Sequence, residues 1–357
     1  MDKNAALLSD ESEDEVELVD QVGLNLCDTK KRKLCSLDIV DNRTPTQRQP
    51  SNSPMLTQPI YNFGCRWDSA NYSCSYDCVF MTFAWVYFHA TEHWRATWAV
   101  QSQSRAIRTL SDHLRLTLSN IESPADNRPA SHIAALFSQG RDALRDVLSE
   151  QNPTMFRRRG PVDASLVDIF ASLSQKETSS KYYSFIASCG GPRCKIKCLT
   201  PAGAPYMLTP QVWGSITHSG NSPPYRESLQ EWVTRWFDWR AFSSPHSCTG
   251  CHAKYSQTQS FLQPSWIWFE IFVEQPNVVL PAFQLSLSSH AYRLAAVIYG
   301  NGCHFIAHLS TPSGTWWRYD GQANGGKPTA AFVTCEEDLM GCGDGRYTPN
   351  VLVYCPA

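Results

Sequence analysis

An α+β fold behind a polar amino-terminal tail is what this sequence predicts, on three observations. Composition shifts near Pro59, from a segment rich in Ser, Asp, Glu, Lys and Gln to one in which Trp, Tyr, Phe and Cys are frequent. Apolar residues recur at helical spacing as far as about Leu173, and beyond that point short β-branched and aromatic runs are bounded by Gly, Pro, Asn and Ser. Helices first and strands later imply segregated layers rather than alternating βα units.

The expected division is a tail and linker over 1–58 and one folded domain over 59–357. In the tail, Ser9-Asp10-Glu11-Ser12-Glu13-Asp14-Glu15 is an acid-rich run of Asp, Glu and Ser, and Val16-Glu17-Leu18-Val19-Asp20 is a short β-prone run beside those acids. Such a run suits strand addition to a partner's sheet edge, and it resembles a SUMO-interacting motif. Lys30-Lys31-Arg32-Lys33 reads as a nuclear address or a solvated charge cluster. The formal net charge of -2 gives no reason to expect a nucleic-acid partner. No stretch approaches the ~18 uninterrupted apolar residues of a membrane span, and the acidic amino terminus lacks the blocks of a signal peptide. A nuclear or cytoplasmic protein is therefore expected.

In the domain, Asn71-Tyr72-Ser73-Cys74 reads as a loop feeding a buried helix marked by Val79, Phe80, Phe83, Val86 and Tyr87. Amphipathic helices are predicted over Arg105–Leu118, Ser131–Leu148 and Asp163–Leu173, the last with Asp163 as N-cap. Strands are predicted over Tyr182–Ser188, Trp266–Glu274, Tyr292–Tyr299, Cys303–Leu309, Thr315–Asp320 and Val351–Cys355.

A cysteine at a loop-to-helix junction meets unpaired backbone N–H groups and the positive end of the helix dipole, which favour a thiolate. Cys74 is thus the candidate nucleophile, against the alternative of a small core residue; Cys78, one turn on, is assigned to the core. A thiolate needs a base. If the loop of Ser310–Gly314 centres on Pro312, His308 faces Trp316, Ile306 faces Arg318 and His304 faces Asp320, placing an imidazole beside a carboxylate on one sheet face. His304 is then the base and Asp320 its orienter, with His308 ranked second. The alternative is a surface His/Asp pair.

Fourteen cysteines in a reducing compartment argue against a disulfide framework. Cys194-x3-Cys198 and Cys248-x2-Cys251 form two knuckles with the spacing of a closed structural zinc site, with Cys189, His246 and His252 as competing ligands.

The run Tyr292–Phe305, which contains Gly300-Asn301-Gly302-Cys303-His304, together with Trp316-Trp317-Arg318-Tyr319-Asp320, resembles the histidine box of the ubiquitin-specific proteases. Tyr347–Tyr354 is similar to that family's final strand, Asn71–Asp77 stands where its cysteine box belongs, and Val162-Asp163-Ala164 resembles the helix that follows. The resemblance implies a papain-like cysteine protease fold with a helical thumb, an antiparallel β palm and zinc-bearing β fingers. It also implies a Cys74-His304-Asp320 thiol isopeptidase acting on conjugates of ubiquitin or a ubiquitin-like modifier. The cysteine box departs from the family pattern, with Ser69 where an Asn is usual, so the candidate oxyanion donors are the Cys74 N–H together with the Asn71 side chain or another group. A SUMO-type protease and a non-catalytic ubiquitin- or SUMO-binding scaffold are the alternatives.

Overall fold

The first helix of the domain decides the architecture. In the computed structural model, which describes residues 60–102, 104–122, 129–160, 164–174, 183–189, 207–208, 226–234, 255–261, 265–271, 278–287, 290–342 and 345–357, α1 runs over Cys74–His89 and buries every residue from Cys74 to Phe88. A helix apolar on all sides has to be enclosed by other elements. It is enclosed here by α3 (Arg105–Glu122), α4 (Ala130–Gln151) and α5 (Leu166–Ser174) and by two central strands of a sheet. Between them, α2 (Glu92–Gln101) starts where the Thr91 side chain accepts the Trp94 N–H at 3.2 Å. The indole of Trp85, wholly buried, donates to the Ser310 carbonyl at 2.9 Å and ties α1 to the sheet. Full burial of such a side chain contributes about 2–3 kcal/mol.

Among the described residues twelve strands follow: β1 (Tyr183–Cys189), β2 (Met207–Leu208), β3 (Arg226–Ser228), β4 (Tyr255–Phe261), β5 (Ile267–Glu270), β6 (Val278–Leu280), β7 (Gln284–Leu287), β8 (His290–Gly300), β9 (Phe305–Ser310), β10 (Trp316–Tyr319), β11 (Thr329–Ala331) and β12 (Thr348–Pro356). Eight of them form one sheet in the order β11-β10-β9-β8-β12-β5-β2, with β7 also paired to β8. All its pairings are antiparallel except β2 with β5. Alternate residues of the central strands enter two cores. Ala296, Ile298, Ala307, Leu309, Val351 and Val353 face the helices. Val297, Tyr299, Ile306, Leu352 and Tyr354 face a second cluster with Leu229, Trp232 and Leu339. Burial on both faces explains why β8 and β12 read as continuous apolar runs rather than alternating ones.

Helices on one side of a largely antiparallel sheet make the fold α+β. The chain divides into Met1–Pro50 and Ser51–Ala357, and the first of these units lies outside the described residues, with Val16–Val19 and the Lys30 cluster. Among the described residues no helix is long and apolar enough to cross a membrane.

The hairpin register differs from the one expected. Trp316 pairs with Ser310, Trp317 with Leu309, Arg318 with His308 and Tyr319 with Ala307, a shift of two residues that puts His308 opposite Arg318 instead of Trp316. The cause is the turn. Thr311 and Thr315 close it through Thr311 N–H to the Thr315 carbonyl at 2.9 Å, and Gly314 takes the left-handed conformation at φ 81°, so the loop begins one residue later than Pro312-centred pairing requires. A two-residue slip preserves which face each side chain occupies.

Candidate active site

Residue 304 lies in the turn before β9, and its backbone is set by Asn301, whose side-chain oxygen accepts the N–H groups of Cys303 at 3.0 Å and His304 at 2.8 Å. Residue 320 follows β10. Despite the shifted register, His304 Nε2 and Asp320 Oδ1 lie 2.9 Å apart, because the two residues flank adjacent strands diagonally. The imidazole is buried, and its Nδ1 has no hydrogen-bond partner among the described residues. Burial pushes the Asp320 carboxyl up, but the bond from His304, the Gln322 N–H at 3.0 Å and the charges of His304 and Arg318 outweigh it, leaving the group below its ordinary value. Asp320 is therefore an anion at neutral pH, and Nε2 is held as the donor.

Cys74 is the first residue of α1 and is 4 % exposed. Ser73 precedes it as N-cap, yet its hydroxyl caps no helical N–H. It accepts the Asp68 N–H at 2.8 Å and donates to Asp77 Oδ2 at 2.7 Å instead. Ser73 therefore gives the first turn of α1 no side-chain cap. Asp77 is buried and also bonds Arg141 Nη1 through Oδ1 at 2.9 Å; burial raises its carboxyl to about 6 while Arg141 pulls it back.

The two halves of the site meet through several contacts. Trp67 N–H donates to the Gly321 carbonyl at 3.1 Å, and the Tyr319 hydroxyl donates to the Cys65 carbonyl at 2.8 Å. A Cβ placed on Gly321 would stand 3.2 Å from Asp77 Oδ2, so the residue after Asp320 abuts the first turn of the Cys74 helix. Gly64 and Gly326 pass so closely that a Cβ on either would fall about 2 Å from a backbone oxygen of the other strand of chain.

The remaining sequence-derived candidates are distributed as follows. The Asn71 amide donates to Asp68 Oδ2 at 2.6 Å and its oxygen accepts the Gly160 N–H at 2.8 Å, which leaves one amide hydrogen for any oxyanion. Cys78 is wholly buried and burial raises its thiol far above the ordinary value, so it belongs to the core. His308 sits in the second face of the sheet, its Nδ1 3.2 Å from the Tyr299 hydroxyl, away from Asp320. Cys194, Cys198, Cys248 and Cys251, with His246, His252 and Asp163, lie outside the described residues. Sequence reasoning missed Asp77, Arg141 and Arg145. The available signal was a carboxylate inside an otherwise apolar helix, and two arginines one turn apart on the face of α4 that carries Phe137, Leu144 and Leu148.

No family model and no curated protein matches the chain. Among solved structures it is similar to the SAGA DUB module bound to monoubiquitin, at 11 % identity and TM-score 0.44 over 82 % of this chain and 69 % of that one. It is also similar to the Saccharomyces cerevisiae Pan2 pseudoubiquitin hydrolase-RNA exonuclease module, at 10 % identity and TM-score 0.39 over 82 % and 53 %. An essential yeast splicing factor matches at 14 % identity and TM-score 0.34 over 71 % and 68 %.

Proposed function

We propose that the protein is a thiol isopeptidase that removes ubiquitin, or a ubiquitin-like modifier, from conjugates. The observation that carries the reading is the His304–Asp320 pair, which fixes one imidazole nitrogen and leaves the other buried and unpartnered among the described residues. In this mechanism Nδ1 takes the Cys74 proton, and the thiolate attacks the carbonyl carbon of the modifier's terminal glycine. The oxyanion is met by N–H groups of the first turn of α1, which the Ser73 hydroxyl does not cap, with Asn71 contributing its remaining amide hydrogen. His304 passes the proton to the departing amine as the C–N bond breaks, leaving a thioester. Water then attacks that thioester, giving its proton to Nδ1, and the Cys74 thiol is restored. Asp320 orients the ring and stabilises its cationic form throughout.

Ubiquitin as the modifier follows from the histidine-box resemblance. A structural zinc held by Cys194, Cys198, Cys248 and Cys251 belongs to the same reading. Its support is the β1–β4 ribbon, in which Cys189 pairs with Tyr255, so the chain leaves and re-enters that pair within a few residues of both knuckles. About one ion per chain is expected by elemental analysis of protein purified without chelator, and a metal-free result removes this part of the proposal.

The second reading is a scaffold that binds the modifier without cleaving it, favoured by Ser69 at the family's Asn position and by Tyr72 at φ 43° beside the nucleophile. Ubiquitin and SUMO bearing a carboxyl-terminal electrophile separate the readings. Labelling that is lost in Cys74→Ala identifies both nucleophile and modifier; binding without labelling by either probe rejects the protease.

A further inference from the structure

We propose that Arg141 and Arg145, one turn apart on α4, are positioning residues for the nucleophile. Their guanidinium groups lock residues 66–73 in the single conformation that presents Cys74 to His304. The inference rests on the protease reading and deepens it, because it assigns the geometry of the cysteine loop to a helix more than sixty residues away.

Residues 63–73 contain neither helix nor strand, so no backbone ladder fixes the approach to Cys74. Side chains fix it instead. Arg141 Nη1 donates to the Arg66 carbonyl at 2.7 Å, to Asp77 Oδ1 at 2.9 Å and to Ser73 Oγ at 3.4 Å, while its Nε bonds Asp142 at 2.9 Å. Arg145 Nη1 donates to the Asn71 carbonyl at 2.5 Å, Nε to the Arg157 carbonyl at 3.0 Å and Nη2 to the Gly160 carbonyl at 3.3 Å. Its guanidinium also lies over the Tyr76 ring, 5.1 Å from the centroid. The loop is thus gripped at both ends and near its middle.

Burial makes this arrangement costly unless it serves a purpose. Arg141 is 4 % exposed and Arg145 2 %. Removing a guanidinium from water costs several kcal/mol, recovered only when its donors are matched, and apolar residues of similar volume would fill the same space at no such cost. Planar forks do what apolar residues cannot: they fix carbonyl oxygens in direction as well as distance.

The loop also carries strain that needs restraint. Tyr72, two residues before Cys74, holds φ at 43°, a left-handed conformation that a bulky side chain adopts only when its surroundings dictate it. The Asn71 carbonyl held by Arg145 belongs to the peptide group joining Asn71 to Tyr72, so the arginine fixes the orientation of that peptide plane directly. Asp77 extends the restraint to the other half of the site, since it bonds Arg141 and Ser73 and abuts Gly321, the neighbour of Asp320.

The test uses the full chain and two readouts. The first is the pH dependence of Cys74 alkylation by iodoacetamide, followed by mass spectrometry of the Cys74 peptide with exposed Cys303 and Cys335 as internal references. The second is kcat and KM on a fluorogenic carboxyl-terminal ubiquitin amide. Arg145→Lys and Arg141→Lys keep the charge and lose the fork. Each is expected to slow Cys74 alkylation about 10-fold at pH 7, to displace its profile toward alkaline pH, and to lower kcat at least about 10-fold with KM within about 2-fold. Adding Tyr72→Asn, which tolerates the left-handed conformation, is expected to restore about 3-fold of that loss.

Folded lysine variants with unchanged alkylation profile and kcat overturn the proposal while the protease reading stands. Wild-type Cys74 reacting no faster than Cys303 and Cys335 overturns the protease reading and this inference with it. Should the lysine variants fail to fold, Ser73→Ala removes only one bridge of the clamp; an alkaline displacement of about 3-fold in rate supports the proposal, and no displacement rejects it.

Discussion

The cysteine half and the histidine half of the site are built by different means. On the histidine side, main-chain bonds do most of the work: β9 and β10 pair residue by residue, the Thr311–Thr315 turn closes the hairpin, and Asn301 sets the backbone of residue 304. On the cysteine side the backbone makes few bonds of its own before α1, and buried side chains of α4 and Asp77 take over. A hairpin built on ladder bonds tolerates side-chain change, whereas a loop built on buried ionic groups fails when one partner is removed, because the other charge is stranded. Substitutions on the two sides should therefore fail differently.

The largest effects fall on chemistry. Cys74→Ala is expected to abolish turnover, His304→Ala to lower kcat about 10⁴-fold and Asp320→Asn about 10²-fold, each with thermal unfolding close to wild type. Steady-state kinetics beside a melting curve checks this, and full activity in Cys74→Ala would remove the site altogether. His308→Gln should lower kcat less than 2-fold, since its ring faces Tyr299 and not the Asp320 carboxylate.

The junction between the halves comes next. Gly326 stands at φ 78° with the Cys65 carbonyl where a Cβ would go, so Gly326→Ala combines a backbone clash with an unfavourable conformation. It is expected to cost about 4 kcal/mol by chemical denaturation. A loss under about 1 kcal/mol would mean that the Cys65–Gly326 approach does not hold the two halves together.

The smallest and most discriminating effect is on pH. Burial, aided by the Arg318 charge, lowers His308 from 6.5 to about 4. A histidine held neutral in the fold takes up protons more readily when unfolded, so its contribution is complete above pH 6.5 and is lost as pH falls from 6.5 toward 4. The full effect is on the order of 3 kcal/mol. Asp77 acts in the opposite sense: its carboxyl is raised from 3.8 to about 6, so the fold binds the proton more tightly and gains stability as pH falls from 6 toward 3.8. Denaturation midpoints should fall less steeply than wild type with acid in His308→Gln, whereas Asp77→Asn, which also strands the buried Arg141 charge, should start from a lower midpoint at neutral pH and fall more steeply than wild type over this range. Identical profiles for the two variants would show that neither group governs acid stability.

Local pattern alone located much of this protein. The predicted helices over Arg105–Leu118 and Ser131–Leu148 are present as Arg105–Glu122 and Ala130–Gln151, and the predicted strand over Tyr292–Tyr299 as His290–Gly300. The pairing of residues 304 and 320 was legible because sheet alternation has period two, so an error of two residues in register left both side chains on the same face. Tertiary structure decided the rest. The turn chose Gly314 for its left-handed position, and that choice set the register. The commitments of Asn71 to Asp68 and Gly160, and the grip of Arg141 and Arg145 on the cysteine loop, join groups up to 89 residues apart in the chain. Periodicity reports which face of an element is apolar; it carries no information about which distant carbonyl a buried guanidinium will meet, because that is fixed only when the helices and the loop pack together.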